Sequence, residues 1–147
     1  MKDEMVLRCA SIEDADRLFQ WRNDPVTRRA SRDVRPVDRE THYIWLNDAI
    51  ADSKRGLWVA EVDGKAVGTC RADIEEGVSV ISWTIAPDSR GQGFGKRMVQ
   101  QLLSQLEGCI RAEIRGGNEA SKRVAEAAGL TMVGEKDGFK HYARSES

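Results

Sequence analysis

The residues best placed to do chemistry lie in one run, Ile85-Ala86-Pro87-Asp88-Ser89-Arg90-Gly91-Gln92-Gly93-Phe94-Gly95-Lys96. Three glycines alternate there, between a strand-like segment and a long amphipathic one. Glycine permits sharp turns and lets backbone N–H groups approach a ligand closely. Those donors, with the positive end of a helix dipole, suit a pyrophosphate, and Arg90 and Lys96 add cationic contacts. Two commoner phosphate motifs fail. A P-loop anchored on Gly95-Lys96 needs a glycine where Arg90 stands and a hydroxyl residue where Arg97 stands. The dinucleotide fingerprint G-x-G-x-x-G does not match a G-x-G-x-G spacing. A glycine loop of purely structural use is the alternative.

A second region is rich in arginine. Arg22, Arg28, Arg29, Arg32, Arg35 and Arg39 fall within 18 residues. Guanidinium groups bind phosphate bidentately, so a diphosphate-bearing ligand is one reading. A solvated mixed-charge loop is the other, because Asp24, Asp33, Asp38 and Glu40 interleave. Trp21 and Trp45 offer ring stacking or core packing. His42 has the right intrinsic pKa for proton transfer near neutrality. Glu76 is a second candidate base or a solvated turn residue, and Tyr142 a candidate acid or a half-buried strand tyrosine.

These residues need elements to hold them. Strands are expected at Met5–Ala10, Leu57–Val62, Lys65–Ala72, Gly77–Ile85, Cys109–Arg115, Leu130–Glu135 and Phe139–Arg144. Asp63-Gly64 marks a hairpin, since both positions tolerate positive φ. Ser11-Ile12-Glu13-Asp14 reads as a capping box opening a helix that runs to about Trp21, with Ile12, Ala15, Leu18 and Phe19 on one face. Pro25 ends it, leaving residues 23–37 irregular. Further helices are expected from about Asp38 to Ala51, with Tyr43, Ile44, Leu46 and Ile50 as its apolar stripe, and over Gly93–Leu106. A last one is capped by Asn118 and stops before Gly129, an expected left-handed residue. The alternation implies one mixed α/β sheet of six to seven strands, with helices on both faces.

Composition bounds the rest. The chain has 147 residues, the length of a single domain spanning 1–147. With 23 Lys and Arg against 24 Asp and Glu it lacks the basic excess of a general nucleic-acid coat. No apolar run is long enough to cross a membrane. Met1–Met5 is charged in both signs and lacks a signal-peptide core. Cys9, Cys70 and Cys109 are distant, form no C-x-x-C pair, and join only two histidines. No metal site is expected; buried thiols and a reducing, cytoplasmic setting are.

Arg90-Gly91-Gln92-Gly93-Phe94-Gly95, directly after a strand, resembles the acetyl-CoA motif R-x-x-G-x-G of the GNAT superfamily of N-acetyltransferases. Asn118-Glu119-Ala120-Ser121, followed by Ala127-Ala128-Gly129-Leu130, resembles that family's second signature. The resemblance covers nearly the whole chain. It implies acetyl-CoA as co-substrate, lying where strands four and five splay apart. Its pantetheine arm would run beside Trp83, Thr84 and Ile85. Its pyrophosphate would rest on Arg90 to Lys96, with Asn118 and Ser121 contacting the cofactor as well. The tyrosine that often protonates the leaving thiol in this family would fall at Ala125, so it is missing.

The run Phe19-Gln20-Trp21-Arg22-Asn23-Asp24-Pro25, with Thr41-His42-Tyr43-Ile44-Trp45, resembles two branches of the family. One is the aminosugar N-acetyltransferases of the pseudaminic-acid type, acting on UDP-linked 4-amino-dideoxy sugars. The other is the ribosomal-protein N-terminal acetyltransferases. The sugar branch implies Arg22, Asn23, His42 and Arg71 as residues facing a small-molecule amine, a nucleotide sugar in the leading reading. A protein N-terminus or another small amine is the alternative, and a non-catalytic acyl-CoA-binding module a third. The resemblance is also compatible with a homodimer.

Overall fold

A computed structural model describes residues 4–144; Met1–Asp3, part of the charged N-terminal segment noted above, lie outside the described residues. Seven strands form one sheet in the order β1-β2-β3-β4-β5-β7-β6. They are β1 (Met5–Cys9), β2 (Arg55–Val62), β3 (Lys65–Glu75), β4 (Val78–Ile85), β5 (Cys109–Arg115), β6 (Thr131–Lys136) and β7 (Phe139–Arg144). Five α-helices accompany them: α1 (Ala15–Asn23), α2 (Pro25–Ala30), α3 (Arg39–Ala51), α4 (Phe94–Gln105) and α5 (Glu119–Ala127). All neighbouring strands run antiparallel except β4 and β5.

That parallel pair is held together only in part. Its register runs from Val78 opposite Cys109 to Ile81 opposite Ala112 and stops there. β4 continues to Ile85, still paired with Gly68 of β3, and β5 continues to Arg115, still paired with Phe139 of β7. Each strand is fixed on its outer side while the inner sides part, so the expected splay is present.

Both sheet faces are covered. Met98, Val99, Leu102 and Leu103 of α4 pack with Ala60, Cys70, Ile81, Ile110 and Tyr142 on one face. Ala15, Leu18 and Trp21 of α1 and Leu46 of α3 pack with Val59 and Ala86 on the other. Val59 and Ala60 are adjacent, and the strand's two-residue period sends them to opposite faces. Asp14 is 1% exposed and still charged. It accepts two bonds from Arg8 (2.9 and 2.8 Å), one from Arg17 (2.7 Å) and one from the Ser11 N–H (2.9 Å). The hydrogen bonds from Arg8 hold its carboxyl below the usual value, against the opposing effect of burial.

Four expectations need correction. Residues 25–30 are helical: Asp24 accepts from Val26 and Thr27 N–H, and Pro25 takes the first turn, so the residues that stop α1 also start α2. Ile12 is exposed, and Trp21 replaces it in the buried face of α1. α3 buries His42, Leu46 and Ala49, while Ile44 and Ile50 are exposed. Of the three thiols only Cys70 is buried, its pKa pushed up to about 12 by desolvation; Cys9 is exposed and Cys109 half-buried.

Candidate functional site

The glycine loop is built from backbone. Gly91 and Gly93 sit at φ 78° and 80°, in the left-handed region that a Cβ disfavours. Gly93 is the N-cap of α4 and carries no side chain to cap it. The first-turn N–H groups therefore have neither an intrahelical acceptor nor a side-chain one. Gln92 and Lys96 are exposed beside them, and Phe94 is half-buried. Gly95 serves a different purpose: a Cβ there would lie 3.1 Å from Val124 Cγ2, so it permits the close packing of α4 on α5.

Arg90 is engaged elsewhere. Its guanidinium donates to Asp24 (2.7 Å) and to Thr27 Oγ1 (3.2 Å), tying the start of α2 to the loop. Asn118 and Ser121 bond each other: the Asn118 carbonyl accepts from Ser121 N–H and its amide donates to Ser121 Oγ, both at 3.2 Å. They cap α5 at the same end of the sheet as the loop.

Beside the loop, the β5-facing backbone of residues 82–85 has no strand partner, because the pairing ends at Ile81. Trp83, Thr84 and Ile85 are half-buried there. On β3, Gly68 keeps this end narrow, since a Cβ would meet the Thr84 carbonyl oxygen at 2.8 Å.

Against the same stretch of β4 lies a cavity of about 310 Å³ between α1, α3, β3 and β4. Trp21 and Arg22 come from α1, His42 and Trp45 from α3, Arg71 from β3, and Ser82–Thr84 from β4. His42 is 3% exposed, tilted between Phe19 and Trp45 at centroid distances of 5.5 and 5.7 Å, and its Nε2 has no partner. Burial holds its pKa below 6.5; a backbone hydrogen bond with Ala15 opposes this, and repulsion from Arg22 and Arg39 adds to it. The imidazole is therefore neutral at pH 7 and can accept a proton.

The sequence-derived candidates do not all converge. Arg22, His42, Arg71, Trp83 and Thr84 share the cavity wall. Asn23 does not. Its amide donates to the Val37 carbonyl (2.8 Å) and accepts from Val37 N–H (2.7 Å), which braces the loop before α3. Glu76 is an exposed turn residue at φ 50°, at the end of β4 opposite the splay. Tyr142 is 1% exposed within the α4 and α5 core, its hydroxyl unpartnered and kept protonated by burial and by the nearby Glu126 charge. The arginine run is mostly neutralised. Arg32 pairs with Glu113, Arg35 with Asp33 (2.8 Å) and Arg39 with Asp16 (2.6 Å), while Arg28 donates to the Val34 carbonyl. Thr41, Val37 and Leu18 also close the cavity; the helical period marks Leu18 only as a core residue, and no local pattern marks Val37.

A sheet splayed at its one parallel pair, with a glycine-opened helix below the gap, defines an acyl-CoA-binding type of architecture. Residues 4–131 match the family described as "Acetyltransferase (GNAT) domain". The chain belongs to the GNAT acetyltransferase family. It is 36% identical over 73 residues to mycothiol acetyltransferase of Kocuria rhizophila, covering 50% of this chain and 24% of that protein. To L-2,4-diaminobutyric acid acetyltransferase of Nocardia farcinica it is 29% identical over 108 residues, covering 69% of this chain and 49% of that one. It thus spans about a quarter and about half of the two relatives' lengths. Among solved structures, aminoglycoside acetyltransferase AAC(6')-Ib in complex with coenzyme A superimposes with a TM-score of 0.83 at 18% identity, over 97% of this chain and 95% of that one. Spermidine N-acetyltransferase from Vibrio cholerae, in complex with CoA and spermine, gives 0.83 at 17% identity, over 97% and 95%. At these identities the likeness is one of fold.

Proposed function

We propose that this chain transfers the acetyl group of acetyl-CoA to a primary amine of a small molecule held in the cavity. One observation carries the reading. Residues 82–84 of β4 form the unpaired edge of the splay on one side and a wall of the cavity on the other. A thioester laid along that edge meets an amine in the cavity without any rearrangement of the sheet. The uncapped N–H groups of Phe94–Lys96 and the turn at Gly91 suit the pyrophosphate. Arg90 acts through Asp24, holding the junction of α1 and α2 against the loop.

Acetyl-CoA supplies an activated carbonyl. The amine sheds one proton to solvent before it can attack and loses a second as the C–N bond forms; His42 takes that second proton on Nε2, which is buried, neutral and unpartnered. The C–N bond forms, the C–S bond breaks, and sulfur leaves as a thiolate, since Ala125 stands where the family's tyrosine is expected.

For the acceptor, we favour a nucleotide-linked 4-amino-dideoxy sugar. Of the four residues implied by the sugar-acting branch, Arg22, His42 and Arg71 line the cavity and Asn23 does not, and Trp21 and Trp45 offer faces for a ring. An amino-acid acceptor is the second reading, favoured by the relative that acts on L-2,4-diaminobutyric acid. Thiol release from acetyl-CoA, with products weighed by mass spectrometry, tests both. Acetylated UDP-sugar as the dominant product supports the first; acetylated diamino acid moves the assignment to the second. Release with no amine tested, although acetyl-CoA binds, contradicts amine transfer.

A further inference from the structure

Every acceptor amine is a cation before it reacts, yet no Asp or Glu lines the cavity among the described residues. The charged groups there are guanidiniums. Arg22 donates one Nη2–H to the Asp33 carbonyl (3.0 Å), while its Nη1 is buried with no partner. Arg71 lies 5.7 Å from the Trp45 ring centroid. Its Nε is ion-paired with Asp73 Oδ2 at 3.1 Å, without the alignment of a hydrogen bond. Asp73 and Asp33 are the carboxylates nearest the pair, and neither reaches the cavity lining. Arg22 and Arg71 line the same cavity of about 310 Å³, and Arg22 feels the Arg71 charge as repulsion. A buried guanidinium N–H without an acceptor is costly, and an oxyanion in the cavity supplies one for Arg22 in the field of the Arg71 charge.

We propose that Arg22 and Arg71 form an oxyanion clamp that makes this protein selective for primary amines carrying a carboxylate or phosphate group, and that it rejects polycationic amines. The proposal rests on the acetyl-transfer reading and narrows its substrate class. It separates this chain from fold neighbours whose ligands are polycations, such as the one holding spermine.

Matched pairs of acceptors test it, each pair differing in the anion alone. L-2,4-diaminobutyrate against 1,3-diaminopropane isolates a carboxylate. Glucosamine 6-phosphate against glucosamine isolates a phosphate, and spermidine serves as the polycation. Binding is read from tryptophan fluorescence of the CoA-loaded protein, because Trp21, Trp45 and Trp83 line the cavity; turnover is read from thiol release. At least one anionic member is expected to bind on the order of 10-fold more tightly than its twin, and spermidine not to compete. Which pair shows the preference tells carboxylate from phosphate. The preference is expected to vanish in Arg22→Gln and in Arg71→Gln, and to persist in part in Arg22→Lys, which keeps the charge. Equal affinity within both pairs, or tighter binding of 1,3-diaminopropane or spermidine, overturns the clamp even if acetyl transfer is robust. A clear anionic preference with no thiol release from any acceptor leaves the clamp standing and sinks the acetyl-transfer reading instead.

Discussion

The two halves of the site are made from different materials. The glycine loop works through backbone: φ values of 78° and 80° at Gly91 and Gly93, an uncapped helix N-terminus and an unpaired strand edge. The cavity works through side chains from α1, α3, β3 and β4, with His42, Arg22 and Arg71 set among tryptophans. A backbone site tolerates change in nearly every side chain and fails when a conformation is lost. A side-chain site keeps its shape under backbone-neutral changes and fails when one functional group is removed. The fold can thus retain one co-substrate while varying its acceptor.

The sharpest break expected is in chemistry. His42→Gln removes the only imidazole in the cavity and is expected to lower kcat about 100-fold or more while the KM for acetyl-CoA is unchanged. Steady-state kinetics separates the two constants. Because burial holds the His42 pKa below 6.5, the imidazole is unprotonated at that pH and above. The acid limb assigned to the enzyme base in the kcat profile is therefore expected below pH 6.5, and to disappear in the variant.

Next in size is the loop. Gly93→Val places a β-branched residue at φ 80° and is expected to weaken acetyl-CoA binding about 10-fold or more, read by calorimetry. Gly93→Asn, which tolerates that region, is expected to lose much less. Equal losses from both would mean that the side-chain space, not the conformation, matters there.

Stability is the third contrast. Asp14→Asn leaves Arg8 and Arg17 without their shared carboxylate and is expected to cost about 1–3 kcal/mol by denaturant unfolding, a figure reduced because both arginines are partly exposed. The folded-state pKa of Asp14 is depressed, so its contribution is complete above the unfolded value of 3.8 and is lost as the pH falls through the lower folded one. The gap between wild type and variant is expected to narrow below about pH 3.8. His42 has the opposite charge with the same sign of slope: the unfolded chain takes up its proton near 6.5 before the folded one does, which destabilises the fold as the pH drops below that value.

The smallest effect is expected at Glu76→Gln. This turn residue lies far from the splay, and both kcat and stability should stay within error of wild type.

Legibility in the sequence follows the same division. The glycine loop was readable because few residues can adopt its conformations, so spacing encodes geometry. Strand β5 and the apolar face of α4 were readable for a similar reason, since each has a clean period. The short helix α2 was hidden: Asp24-Pro25 is both a helix stop and a helix start, and Arg28 and Arg29 give it no apolar stripe. Asn23 drew attention by its neighbours in a motif, yet both ends of its amide brace Val37. Most of the arginine run is engaged within the protein, Arg32, Arg35 and Arg39 by carboxylates and Arg28 by a carbonyl, which leaves Arg22 as its member on the cavity wall. Arg22 and Arg71, separated by most of the N-terminal half, come to one cavity wall only in the fold.

The most direct test is a crystal structure of the protein with acetyl-CoA bound. The pyrophosphate is expected within hydrogen-bonding distance of the N–H groups between Gly91 and Lys96. The thioester is expected between residues 82–85 of β4 and the diverging end of β5, with its carbonyl facing the cavity that holds His42. A nucleotide seated away from the glycine loop, or a thioester closed off from that cavity, would contradict the account.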